Sequence, residues 1–186
     1  MPNNVTNRLT FLTHDDYQMV KAGITNTHGL VDFNTLIPCP PNVYLGNLAY
    51  GPNNRNDETT FPLNWSSWNR TNWGTKWNAY ETCFQVSEDG SAFIQFDTAW
   101  TVPYPFIVAL ANTFKIPFVL EYYDEGANFW GSEAWKLAGG ADDSAMTRFD
   151  VRESMKEDKH NLCLKLKKYD LFEREKKYAE DAAFNG

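Results

Sequence analysis

Six residues in two short blocks carry the side chains best suited to hold a ligand. The first block, Asn72-Trp73-Gly74-Thr75-Lys76-Trp77-Asn78-Ala79, brings two indoles, an ammonium and two amides close together in the chain. The second, Phe96-Asp97-Thr98-Ala99-Trp100, answers with a carboxylate and a third indole. Trp73, Trp77 and Trp100 could form a platform on which a base or sugar stacks. Lys76 would meet a phosphate, Asp97 a hydroxyl or amine, and Asn78 completes the candidate binding set. The same residues have a structural reading. Tryptophans beside strands commonly fill the gap between sheet and helices, and Lys76 and Asp97 would then pair internally or bond to loop amides. Gly74 permits the tight backbone beside the rings.

Other chemistry is harder to assemble. Asp124 and Glu125, with Glu121 nearby, resemble a carboxylate cluster, but no histidine or third carboxylate stands at metal-ligand spacing, and a turn at a strand end accounts for them. His14 and His28 read as a cap neighbour and a loop residue. Ser66, Ser67 and His160 lack a Gly-x-Ser-x-Gly context, and neither a P-loop nor a dinucleotide fingerprint is present. Cys39, Cys83 and Cys163 are odd in number and far apart, which suits free thiols better than zinc ligands or a redox pair. The expectation is a protein that is not an enzyme, with no metal and no cofactor.

Composition narrows the partners. A net charge of −7 opposes general affinity for phosphate backbones, so nucleic-acid binding is not expected. No run of about 18 apolar residues is present, so no membrane span is expected. The start Met-Pro-Asn-Asn-Val-Thr-Asn-Arg has neither the basic flank nor the apolar core of a signal peptide, and the expected compartment is cytoplasmic.

The elements that would position these residues follow from periodicity. Leu9 and Phe11 alternate with Arg8 and Thr10, which predicts a half-buried strand. Thr13 and the acidic pair Asp15-Asp16 open a short helix carrying Tyr17, Val20 and Ile24. Val31 to Pro41 reads as an extended segment pinned by Phe33, Leu36 and Ile37. Residues 42–71 form a long insert, an irregular loop or small helical excursion, with Asn53 to Asp57 its most mobile-looking part. Two strands, 78–86 and 92–98, flank Asp89-Gly90, a hairpin signal. Pro103 and Pro105 frame a helix with an apolar stripe of Phe106, Ile107, Leu110, Ala111 and Phe114. Phe118 to Tyr123 and Phe129 to Leu137 are strands. Beyond Ser144 the chain is highly charged. Leu162 to Lys167 alternates like a strand, Tyr169 onward suits a helix, and Lys165, Lys167 and Lys168 read as a solvated face.

Strand, helix, insert, hairpin, helix, strand is the split βαβ plan. It predicts an α+β, ferredoxin-like domain over residues 1–140, with an antiparallel sheet and two helices on one face. Residues 141–186 would be a charged strand/helix extension packed on or beside it. Five stretches occur in sequence: Asn7-Arg8-Leu9-Thr10, Phe33 to Pro40, Asn72 to Ala79, Phe96 to Trp100 and Leu120-Glu121-Tyr122-Tyr123. Over roughly residues 1–140 this set resembles the YubB-like ferredoxin-fold family, accessory proteins of plasmids, phages and integrated elements. The chain departs from that family at Asn4-Val5, where a Trp-Cys pair is usual, and nothing after Ser144 corresponds. The resemblance implies a ferredoxin-like fold and a mobile-element setting in a bacterial host cell, and no chemistry. The expected function is a non-enzymatic interaction protein that binds a host or phage protein, in its concrete version an anti-defence inhibitor. The alternative is a small-ligand or nucleotide binder using Trp73, Lys76, Trp77, Asn78, Asp97 and Trp100.

Overall fold

The computed structural model describes residues 3–48, 61–88, 90–137, 146–150, 156–168 and 170. Strand β1 (Asn4–Phe11) leads into helix α1 (His14–Ile24), a 3-10 turn (Phe33–Thr35) and helix α2 (Trp65–Asn72). A hairpin of β2 (Tyr80–Val86) and β3 (Ala92–Ala99) precedes α3 (Tyr104–Phe114) and β4 (Phe118–Asp124), and β5 (Trp130–Leu137), β6 (Met146–Asp150) and α4 (Lys156–Lys167) follow. The sheet runs β2-β3-β1-β4-β5-β6 with every neighbour antiparallel. Its first four strands have the expected split βαβ order, and β5 and β6 extend the β4 edge.

Local chemistry explains most boundaries. The Thr13 hydroxyl accepts from the Asp16 amide at 3.1 Å and caps α1, whose inward stripe is Tyr17, Val20 and Ile24. Asp32 caps the 3-10 turn and drives Phe33 fully into the core, so the proline-bounded segment is pinned by a turn as well as by extension. Lys115, at φ 57, ends α3 in the left-handed conformation, its amide bonded to the Ala111 carbonyl. A bulge between Tyr80 and Cys83, with Glu81 at φ 49, twists the β2 edge.

The main core lies between one sheet face and the helices α1 and α3. Leu9 pairs with Ile94 and Leu120, Phe11 with Ala92 and Phe118, and Phe33, Phe96 and Phe106 interlock edge to face or tilted beneath them. The other face is covered too, and this corrects three expectations. Leu162 to Lys167 is helical: Leu162, Cys163 and Leu166 point inward onto Tyr123, whereas Leu164 stays exposed. A Leu-x-Leu-x-Leu run satisfies the period of a strand, but positions i, i+1 and i+4 also share a helix face, and packing chose the latter. Nor is the lysine group simply solvated. Lys165 meets Glu121 at 2.6 Å, and the Lys167 ammonium donates to the Asn4 carbonyl at 3.1 Å. Arg8 consequently sits buried, bonded to Gln95 and to the Lys165 carbonyl, and β1 is buried on both faces rather than one. The boundary near residue 140, Asn53 to Asp57 and, apart from Asp170, the helix expected from Tyr169 lie outside the described residues.

Candidate functional site

The two blocks meet, but their rings part. Thr75 donates to the Ala99 carbonyl at 2.9 Å, and Thr101 donates to the Gly74 carbonyl at 2.6 Å, tying the α2–β2 loop to the β3–α3 loop. Asn69 reinforces this loop by donating to the Lys76 carbonyl. Trp73 is only 5% exposed. It packs edge-on against Trp68 and Phe33 and donates through Nε1 to the Ile37 carbonyl, which makes it a core residue. Trp77 and Trp100 are 37% and 49% exposed. The three indoles make no ring contact with one another among the described residues.

Asn78 is also structural. Its Oδ1 accepts from the Phe33 and Ala79 amides, and its Nδ2 donates to Asp32 at 2.7 Å. Burial pushes the Asp32 carboxyl upward, but the bonds from Asn78 and Asn34 outweigh it and hold the group below its ordinary value. Asp97 projects from the opposite sheet face. It accepts from the Thr6 hydroxyl at 2.6 Å and faces Lys167 of α4 at 4.0 Å. Of the six candidates, Lys76 and Trp100 border a common depression.

That depression holds about 250 Å³ and is bounded by Arg70, Gly74, Thr75, Lys76, Ala99, Trp100 and Thr101. The Lys76 ammonium lies 5.2 Å from the Trp77 ring centroid. Trp100 sits at φ 73, a left-handed conformation that opposes a side chain of this size, with its amide bonded to the Asn3 carbonyl at 2.9 Å. Gly74 and Thr101 also border a second, larger hollow of about 540 Å³. Val102, Tyr104, Pro105, Tyr122, Phe129 and Trp130 complete its wall. Gly74, at φ +82, allows this junction, because a Cβ there would strike the Pro105 ring. Gly131 does the same for Tyr122, whose ring lies over it across the β4–β5 pair.

Behind the larger hollow the Tyr104 hydroxyl donates to Glu133 at 2.5 Å, and Trp135 Nε1 donates to the same carboxylate at 3.3 Å. Burial first, then the bond to Glu133, push the Tyr104 phenol far above its usual range. Sequence reasoning missed Arg70, Tyr104 and Phe129. Each occupies a regular helix, strand or turn position, and only the fold gathers them. The proline pair around Tyr104 was the one local signal. The carboxylates noted in the sequence have structural partners: Glu121 pairs with Lys165, and Asp124 accepts from the Asn128 amide and side chain. Among the described residues no group of three or more His, Cys, Asp or Glu could hold a metal ion. Among them, too, no helix is long and apolar enough to cross a membrane.

The sheet order and helix placement define an α+β ferredoxin-like domain. A family model described as the ferredoxin-like domain in Api92-like protein matches residues 72–162, a little under half of the chain. Protein api92 from Yersinia pseudotuberculosis, a solved structure, is similar over 50% of this chain and 32% of its own, at 12% identity and a TM-score of 0.38. The similarity therefore spans about a third of that protein's length. No curated protein sequence matches the chain.

Proposed function

We propose that the chain is a non-enzymatic recognition module of a phage or other mobile element, and that it binds a host or phage protein through the rim formed by Arg70, Lys76, Trp77 and Trp100. The exposed Trp100 on a left-handed backbone is the observation that carries this reading. A large ring held outward at a conformational cost, on a rim with two cations, has the composition of an interface hot spot, and the exposed indole of Trp77 flanks Lys76. The described residues lining the depression include no carboxylate, although the chain's net charge is −7, so a partner segment rich in Asp or Glu is the complementary one. An anti-defence inhibitor is the concrete version, and the YubB-like sequence resemblance supports the mobile-element setting.

Affinity capture from host lysate at graded salt tests the reading, using wild type beside Lys76→Glu and Trp100→Gly. A partner that wild type retains, and that both folded variants and raised salt release, is expected. A partner bound equally by all three proteins would sink it. A second reading, binding of a small ligand, is favoured by the adjoining hollow of about 540 Å³, which lies within the range of roughly 300–1,000 Å³ typical of small-molecule sites.

A further inference from the structure

We infer that the two hollows form one cleft for a small molecule in which a flat ring is joined to an anionic group; this deepens the small-ligand reading and rests on it. The ring belongs in the larger hollow. Tyr104 and Tyr122 stand edge to face with centroids 6.4 Å apart, and Tyr122 and Phe129 are tilted at the same separation. Walls set at such angles present both ring faces and ring edges, the two surfaces a planar guest stacks on or abuts. Two hydroxyls of the wall are already engaged, since the Tyr104 proton goes to Glu133 and the Thr101 proton to the Gly74 carbonyl. The hollow thus offers mainly apolar contact.

The anion belongs in the smaller hollow. Arg70 and Lys76 border it, and no carboxylate does among the described residues. The Lys76 ammonium suits phosphate or carboxylate oxygens, and Arg70 adds a second positive charge to the rim. Gly74 and Thr101 border both hollows, so the two lie side by side, and a ring in one stands next to an anion in the other. The ring site therefore consists of Tyr104, Tyr122 and Phe129. Of the six candidates suggested by the sequence alone, Lys76 and Trp100 contribute to the cleft.

Nucleoside monophosphates test this, with the free nucleosides, inorganic phosphate and aryl carboxylates as the other arms. Binding is read by calorimetry and by the fluorescence of Trp100 and Trp130. A ring-bearing anion is expected to bind at least about tenfold tighter than nucleoside or phosphate alone, and the tighter of the two anion classes identifies the group. Lys76→Gln should weaken the ring-bearing anion about tenfold and leave the nucleoside unaffected. Phe129→Ala should weaken nucleoside and nucleotide together. Should that variant fail to fold, saturation transfer from aromatic protons of the wild-type protein to the ligand ring supplies the same evidence. Phosphate or nucleoside binding as tightly as the joined molecule would overturn the two-part cleft while leaving small-ligand binding intact. Silence from every probe would remove both.

Discussion

Replacing Tyr104 with Phe removes only the hydroxyl, which also bonds to Tyr122, so comparison with a Glu133→Gln background singles out the bond behind the cleft. The Tyr104 hydroxyl donates to Glu133 at 2.5 Å, and Glu133 is fully buried. Hydrogen bonds to charged groups contribute about 1.5–3 kcal/mol, and a buried acceptor stripped of its donor keeps its desolvation cost. A loss of about 2 kcal/mol corresponds to a fall of about 4–8 °C in melting temperature for a chain of this size. Thermal unfolding followed by circular dichroism reads the shift. The effect should shrink to about 0.5–1.5 kcal/mol in a Glu133→Gln background, because the bond is then between neutral groups. The pH dependence has a definite sign. Burial and Glu133 raise the folded-state phenol above its unfolded value, so this contribution is complete below about pH 10 and declines as pH rises beyond it. Tyr104→Phe should remove that decline. A melting temperature within about 1 °C of wild type, or an equal loss in both backgrounds, would refute the assignment of this bond as a stabilising one.

Gly74→Ala combines a strained φ of +82 with a clash against Pro105 and should cost more than about 1 kcal/mol, measurable by urea unfolding; an unchanged midpoint would contradict the close approach. The Tyr80 phenol is pushed up to about 12 by burial, then by Asp97, Glu125 and Glu81. Its stabilising contribution should be full below about pH 10 and fall between there and about pH 12. Spectrophotometric titration of wild type against Tyr80→Phe would show one phenol missing from that window. Leu166→Ala removes a buried anchor of the small cluster under α4, and hydrogen exchange should quicken in α4 while β1 stays protected, since the main core lies on the other face. Equal loss of protection in both elements would show that α4 and the main core unfold as one unit.

Local rules were enough wherever one element's own residues settle its form. Thr13 with Asp15 and Asp16, the prolines around Tyr104, and the Asp89-Gly90 turn signal before Ala92 to Thr98 each mark an element without outside help. The split βαβ order followed from the succession of those elements. At Leu162 to Lys167 the pattern was ambiguous, since alternating leucines fit a strand while Leu162, Cys163 and Leu166 also share a helix face. The choice depended on a sheet surface, around Tyr123, that the segment itself does not contain.

The site divides in the same way. The meeting of Asn72–Ala79 with Phe96–Trp100 could be read in the chain, because both blocks flank strands of one hairpin. Which way each ring and carboxylate points could not. Asp97 turns to the α4 face, Trp73 to the core and Trp100 to solvent, because neighbouring positions on a strand face opposite sides and loop dihedrals aim the rest. The sequence alone therefore determined the elements, their order and the presence of an aromatic and cationic seam. Only the tertiary structure decided that Tyr104, Tyr122 and Phe129 share a wall with Gly74. Those residues come from α3, β4, the turn before β5 and the loop after α2, and long-range packing, with no local signal, is what closes the distance between them.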